Sequence, residues 1–293
     1  MMNYKDFENA IKEFLETKFE TKIKITPVET RKNNNTLCRG LSFQVPCSNT
    51  AASIYLEDAY RDYKNGVSIL DICKSLYPVY KIPPLQNTNI DTLFNLENAK
   101  NQIVYKIINY EQNKELLKKI PHIPYLDLAI VFYLLLEVDN KSIASMPIEN
   151  GHLAIWGIDL NTLYTYAKEN TPKLLPASIQ PISDVVSEID EELAVQNIGL
   201  GMLILSNTYT NLGAGCILYD NILKQLGCQF GESLYVIPSS THECIILPKS
   251  NVENEAYLKS MICSINEEVI DPAEVLADHP YYYDLQKETL ELA

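Results

Sequence analysis

Leu128 to Leu136 reads LAIVFYLLL, an unbroken run of nine apolar residues. A helix that crosses a membrane needs ~20 such residues, so this run belongs in a protein core. Within Leu126–Leu136, the β-branched and aromatic residues favour a strand over a helix, because they pack well on a pleated surface. The leucines at its end suit either element, and periodicity alone does not separate the two. Taken as a buried strand, the run requires sheet partners and helices to cover them.

The flanking sequence offers both. Gln102–Ile108 reads as a strand and Tyr110–Lys118 as a lysine-rich helix, while Pro121–Pro124 (PHIP) resembles a turn. Asp159–Asn170 has a helical pattern with Asp159 as N-cap and Pro172 as the stop. Ser183–Val195 is a further helix with acids at its exposed positions.

Towards the N-terminus, Asn3–Phe19 is amphipathic, with Phe7, Ile11, Phe14, Leu15 and Phe19 at three- and four-residue spacing. Lys22–Val28, Leu37–Val45 and Ser53–Leu56 read as strands, the first two separated by the turn-rich RKNNNT. Glu57–Tyr63 and Ser68–Tyr80 read as helices. Two prolines and polar turn residues make Ile82–Asn89 a linker.

The last third alternates. Met202–Leu205 and Gly213–Leu218 read as strands, and Asn221–Gly227 as a helix closed by its glycine. Ser233–Ile237 and His242–Leu247 form strands around a turn, Glu253–Glu267 a helix, and Tyr281–Tyr283 with Thr289–Leu292 a terminal hairpin. The expected architecture is α+β, with antiparallel or mixed sheets packed against helices, in two domains. The first spans residues 1–86 and the second 87–293, divisible near Pro172.

Composition narrows the function. Of 293 residues, 46% are hydrophobic and 21% charged, enough for a core that needs no disulfide or metal staple. The seven cysteines form no C-x-x-C pair and the first residues carry acids where a signal peptide is apolar. Reduced thiols in a cytoplasm are the expectation. The net charge of −14 argues against nucleic acid, whose binders need a basic surface. No membrane contact, cofactor or metal is expected, and the oligomeric state is not readable.

Tyr235–Pro248, YVIPSSTHECIILP, holds the candidate catalytic residues Ser239, Ser240, His242 and Glu243. In a strand, Ser240, His242 and Cys244 share one face, ~7 Å apart in turn. A nucleophile–base pair is one reading. The turn of a hairpin, with its histidine held by a neighbour, is the favoured one. Neither serine lies in G-x-S-x-G, and no H-E-x-x-H follows His242. His122, His152 and His279 have no metal-ligand spacing. Gly199-Leu200-Gly201 and Gly213-Ala214-Gly215 lack the third glycine and the strand–turn–helix setting of a dinucleotide fingerprint. Nineteen tyrosines against seven phenylalanines suit interfaces, which points to Trp156, Tyr281, Tyr282 and Tyr283 as interaction residues.

LLKKIPHIPYLDLAIVFYLLLE, HLAIWGIDLNTLYTYAKENTPKLLPA, LYVIPSSTHECIILP and VLADHPYYYD together resemble a bacterial family found mainly in gut Clostridia and described as a domain of unknown function. The resemblance runs from about Tyr4 to Leu292. It implies a cytoplasmic α+β protein, and its S-S-x-H-E block matches Ser239, Ser240, His242 and Glu243 without assigning them a chemistry. A non-enzymatic protein-binding or regulatory module is the leading expectation. A hydrolase using His242 with Ser240 or Glu243, and Asp278 or His279 as third group, is the alternative. An acidic toxin-immunity or phage-defence component is another. Enzyme and non-enzyme both stay open at this level.

Overall fold

The computed structural model describes residues 2–18, 23–44, 51–80, 95–138, 143–184 and 201–293, with side chains at all of these but 52, 77–80 and 137–138. The expected linker, the 86/87 boundary and most of the Ser183–Val195 helix lie outside the described residues. By contact the chain forms two compact units: residues 1–32 with 36–90, and residues 33–35 with 91–293.

The first unit follows the sequence closely. Helix α1 (Tyr4–Lys18) is followed by strands β1 (Lys24–Arg31), β2 (Leu37–Gln44) and β3 (Ala51–Tyr55), then α2 (Glu57–Lys64) and α3 (Ile69–Tyr80). The strands form an antiparallel sheet in the order β1-β2-β3. Phe7, Ile11 and Leu15 of α1 bury the stripe that their spacing predicts, against Ile25, Leu41 and Phe43 of the sheet and Cys73 of α3. Asn3 caps α1 by accepting from the Asp6 N–H at 2.9 Å.

The second unit holds α4 (Leu96–Ala99), β4 (Ile103–Asn109), α5 (Lys114–Leu117), β5 (His122–Tyr125), β6 (Leu128–Val138), β7 (Ile143–Pro147), α6 (Asn150–Trp156), α7 (Leu160–Leu174) and β8 (Ala177–Pro181). After these come β9 (Leu203–Asn207), α8 (Ile222–Phe230), β10 (Leu234–Ile237), β11 (Cys244–Pro248), α9 (Glu255–Glu268), β12 (Tyr281–Asp284) and β13 (Thr289–Leu292). LAIVFYLLL opens β6 and makes up all but its last two residues; β6 pairs with β4 on one side and with β5 and β7 on the other. The remaining strands make an antiparallel sheet in the order β13-β12-β10-β11-β9-β8. Among the described residues all sheets are antiparallel, so the α+β class stands.

Burial on both sides explains the continuous apolar strands. Ile103, Tyr105 and Ile107 of β4 and Leu128, Ile130, Phe132 and Leu134 of β6 face the main core. Ile108, Ala129 and Val131 turn to the opposite face and pack on Leu117 and Ile120. The larger sheet divides the same way. Leu234, Val236, Cys244, Ile246, Tyr281 and Tyr283 enter the main core, while Tyr235, Ile237 and Leu247 pack under Leu258 and Ile262 of α9. Leu163 and Ala167 of α7 and Leu223 and Leu226 of α8 complete the main core, which joins residues on both sides of Pro172.

Several local expectations are corrected. PHIP is a strand edge: His122–Tyr125 pairs with Leu128–Val131, and Pro124 is tolerated because β5 lies at an edge. Tyr110–Lys118 is not one helix but a 3-10 turn, Glu111–Asn113, followed by the short α5. Pro172 does not stop α7, which continues to Leu174. A proline in the last turn removes one hydrogen bond, to the Lys168 carbonyl, and the Leu175 N–H closes the turn on Thr171 at 2.8 Å. The Asn221–Gly227 helix runs on to Phe230, with Gly227 inside it and Gly231 at φ 75° as the actual cap.

Gly213–Leu218 is a 3-10 helix rather than a strand. Its backbone groups are taken by other parts of the fold, with the Ala214 N–H donating to the Thr241 carbonyl at 3.3 Å. A methyl on Gly213 would overlap Ser206 Oγ, the His242 carbonyl and the Asn207 nitrogen.

Candidate functional site

β10 and β11 form the expected antiparallel hairpin, with Ile237 opposite Ile245. Residues 238–243, however, lie outside both strands, so strand alternation does not govern Ser240 and His242. Ser240 Oγ accepts from the backbone N–H of His242 at 3.0 Å and is turned into its own loop. Ser240 N–H donates to the Glu243 carbonyl at 3.2 Å, and Ser239 N–H to the Ile237 carbonyl at 3.0 Å. The loop closes on itself through backbone groups.

The imidazole of His242 points elsewhere. Its Nδ1 accepts from the Leu212 N–H at 3.2 Å, and its Nε2 lies 3.2 Å from Oε1 of Glu274. An acceptor role at Nδ1 leaves the proton on Nε2, where it can donate to the carboxylate. Glu274, which no motif marked, also takes the Thr241 N–H on its carbonyl at 2.8 Å. Neither Ser240 nor Glu243 supplies the companion expected of a catalytic pair, and both ring nitrogens are engaged.

A second imidazole faces acceptors at both ring nitrogens. His279 sets Nε2 at 2.9 Å from Oδ2 of Asp127 and Nδ1 at 3.0 Å from the Pro280 carbonyl. Both partners are acceptors, so the doubly protonated imidazolium satisfies them together. Tyr281 Oη donates to Oδ1 of the same carboxylate at 2.8 Å. The hydrogen bond to Asp127 raises His279 above the ordinary histidine range. Burial pushes the Asp127 carboxyl upward, but the bonds from His279 and Tyr281 outweigh it and hold the group below the usual carboxylate range. Burial drives Tyr281 far upward, so it remains a protonated donor. Asp278 is not the carboxylate that His279 uses.

The other histidines are separate. His122 Nδ1 lies 3.2 Å from the Ile120 carbonyl, and His152 Nδ1 accepts from the Glu149 N–H at 2.9 Å. Among the described residues no group of three or more His, Cys, Asp or Glu side chains is placed to hold a metal. Burial raises the thiols of Cys73 and Cys244, and pushes Cys216 up to about 12. Among the described residues no helix is long and apolar enough to cross a membrane.

The aromatic residues proposed for interaction sort differently. Trp156, Tyr281 and Tyr283 are buried in the main core. Tyr282 turns to the other side of the sheet, where its ring meets Tyr235 at 5.3 Å. Strand alternation separates Tyr282 from Tyr281 and Tyr283 as expected, and the sheet face of those two is buried.

Two surface features had not been singled out. One is a cavity of about 750 Å³ between α7 and the Leu218–Gln225 segment, with Tyr105, Tyr164 and Tyr219 in its wall. The other is the outer side of α9, where Tyr257, Met261 and Ile265 are exposed at intervals of four residues, with exposed Val269 at the C-cap just beyond them. The α9 residues were legible as helix-periodic, but the same periodicity also fits core packing; the cavity, built from β4, α7 and the Leu218–Gln225 segment, had no sequence signal.

A family model described as "Family of unknown function (DUF5688)" matches residues 4–285. The chain belongs to this family. No curated protein and no solved structure matches it significantly. The family match spans both compact units, from α1 to just beyond β12, and therefore includes the His242 loop, the Asp127–His279 pair and α9.

Proposed function

We propose that the chain is a non-enzymatic module that binds another protein, with α9 as the contact. The observation that carries this reading is the second apolar stripe of that helix. Leu258 and Ile262 already anchor α9 to the sheet. Tyr257 and Val269, exposed at 72% and 73%, and Met261 and Ile265 between them present a further stripe to solvent. A surface helix of an isolated domain ordinarily has one apolar side, and contiguous exposed apolar surface marks interaction sites. Tyrosine and methionine are among the residue types enriched there.

Glu255, Glu267 and Glu268 lie on the same helix beside the stripe, with Lys259 as its basic residue. A partner offering an apolar groove rimmed by Lys or Arg fits this pattern, and the net charge of −14 would steer such a partner inward. Regulation or neutralisation of a basic protein would both use this geometry. The commitment of both His242 nitrogens to Leu212 and Glu274 also supports a non-catalytic reading.

A photo-crosslinking residue at position 261 of the full chain, in its native cells, should give one dominant adduct. Met261→Lys combined with Ile265→Glu should abolish that adduct when the probe is moved to position 257, while the melting temperature stays close to wild type. An adduct pattern unchanged by the double substitution, or no adduct from either position, overturns the proposal.

A further inference from the structure

The tyrosine-lined cavity of the second unit has the size of a small-molecule site, and its wall states what chemistry it would take. Its volume of about 750 Å³ falls within the usual range for such sites. Tyr105 comes from β4, whose backbone is fixed to α7: Thr171 Oγ1 accepts from the Tyr105 N–H at 3.0 Å and donates to the Ala167 carbonyl at 2.6 Å. Gly215 lies against the same ring, where a Cβ would come within 3.4 Å of Cε2.

Tyr105 is only 2% exposed, and it lines the cavity. Among the described residues its hydroxyl has no hydrogen-bond partner. The oxygen is not a sealed, orphaned atom; it opens on the cavity, where it is free to donate to a guest. Burial holds the phenol protonated, which makes it a donor throughout the physiological range. Tyr219, by contrast, is spoken for, donating to the Leu175 carbonyl at 2.7 Å.

Helix α7 also borders the cavity. Pro172 has no N–H, so the Lys168 carbonyl one turn earlier loses its helical donor, and both residues border the cavity. The rim carries Lys168 and Lys173 against Glu169 and Asp220, and Lys168 pairs with Asp220 at 2.9 Å. Equal numbers of acidic and basic side chains on the rim give no preference for a net ligand charge of either sign. The rings of Tyr105 and Tyr219 stand 6.3 Å apart and nearly perpendicular, at 81°, which suits a flat aromatic guest against one face.

We propose that this cavity binds a neutral, planar heterocycle of nucleobase size carrying an amide-type C=O/N–H edge, either free or as its nucleoside. Tyr105 Oη donates to the ring carbonyl, the Lys168 carbonyl accepts from the ring N–H, and the polar rim takes a sugar where one is present. The site is independent of the α9 contact.

Isothermal titration of the full chain with uracil, hypoxanthine, uridine and inosine, and with benzoate as the anionic control, tests this. Saturable binding of at least one neutral heterocycle is expected, and comparison of base with nucleoside distinguishes the two sources. Tyr105→Phe removes the donor without changing the ring, and should weaken binding by about tenfold or more. Thr165→Trp, at an exposed wall position, should block the cavity without touching the core. Binding of benzoate in preference to the heterocycles, no binding by any of the four, or affinity unchanged in both variants overturns the assignment.

Discussion

Asp127 and His279, 152 residues apart in the chain, meet at 2.9 Å, and the carboxylate reaches Tyr281 through its other oxygen. The contact joins the β5–β6 turn to the start of β12. Its partners fix the charge state of each member: the imidazole faces two acceptors, and the carboxylate receives two donors. The cluster is thereby a clamp between the two segments that is charged for as long as His279 is protonated.

Its pH dependence follows from the two shifts. His279 is raised, so its contribution is complete below the unfolded-state value of about 6.5 and is lost as pH rises through the folded value. Asp127 is lowered, so its contribution is complete above about 3.9 and is lost as pH falls through its folded value. The clamp stabilises most between roughly pH 4 and pH 6.5. His279→Gln should cost about 1–3 kcal/mol at pH 5 and remove part of the stability loss above pH 6.5, measured by urea unfolding across pH. A substituted chain whose stability falls with rising pH as steeply as wild type would show that His279 carries no such charge.

Two glycines make a matched test of packing. Gly213 has Ser206 Oγ, the His242 carbonyl and the Asn207 nitrogen where a Cβ would go, whereas Gly151 in α6 has nothing within 4 Å. Gly213→Ala should therefore destabilise by about 3 kcal/mol or more, because backbone atoms on β9 and the loop must move. Gly151→Ala should be neutral or stabilising by about 0.5–1 kcal/mol through helix propensity. Thermal unfolding of the two variants decides it; similar melting temperatures would contradict the packing.

What the sequence made legible was periodicity. The stripe Phe7, Ile11, Leu15 predicted its own burial, and the alternation of Tyr281, Tyr282 and Tyr283 predicted which of them share a face, though not that this face is buried, since each pattern depends on local geometry alone. Gly213–Leu218 defeated the same reasoning because its conformation is set by β9 and the His242 loop, far away in sequence. Asn34 shows the same limit: read as part of a turn, it donates to the Pro272 and Val275 carbonyls at 2.9 and 2.6 Å within the second unit. The candidate loop at Ser239–Glu243 was found, but its partner Glu274 was not, since a single carboxylate 32 residues on carries no signal until the chain is folded.

Thiol reactivity should divide along burial. Cys216 and Cys244 lie in the main core, and their thiols are raised by burial, which removes the nucleophilic thiolate. Cys228 is exposed on α8. Under native conditions at neutral pH, iodoacetamide followed by mass spectrometry should modify Cys228 first, with Cys73, Cys216 and Cys244 protected until denaturant is added. Modification of Cys216 or Cys244 at the rate of Cys228 would show that the main core opens under native conditions.

His242 offers the sharpest test of the hairpin against the catalytic site. Through Nδ1 it holds Leu212, which sits at φ 60° before the 3-10 helix, and through Nε2 it reaches Glu274. If these bonds are its role, His242→Ala should cost about 1–3 kcal/mol, for the Leu212 N–H loses its acceptor. His242→Asn, whose carbonyl oxygen can replace Nδ1, should recover part of that loss. Glu274→Gln keeps an acceptor at a half-exposed position and should change stability by less than about 0.5 kcal/mol. Ser240→Ala should have a similarly small effect on the imidazole, since its oxygen meets the backbone of His242 and not the ring. Urea unfolding of the four variants gives the ordering; a His242→Ala chain as stable as wild type would remove the structural role and return His242 to candidacy as a chemical group.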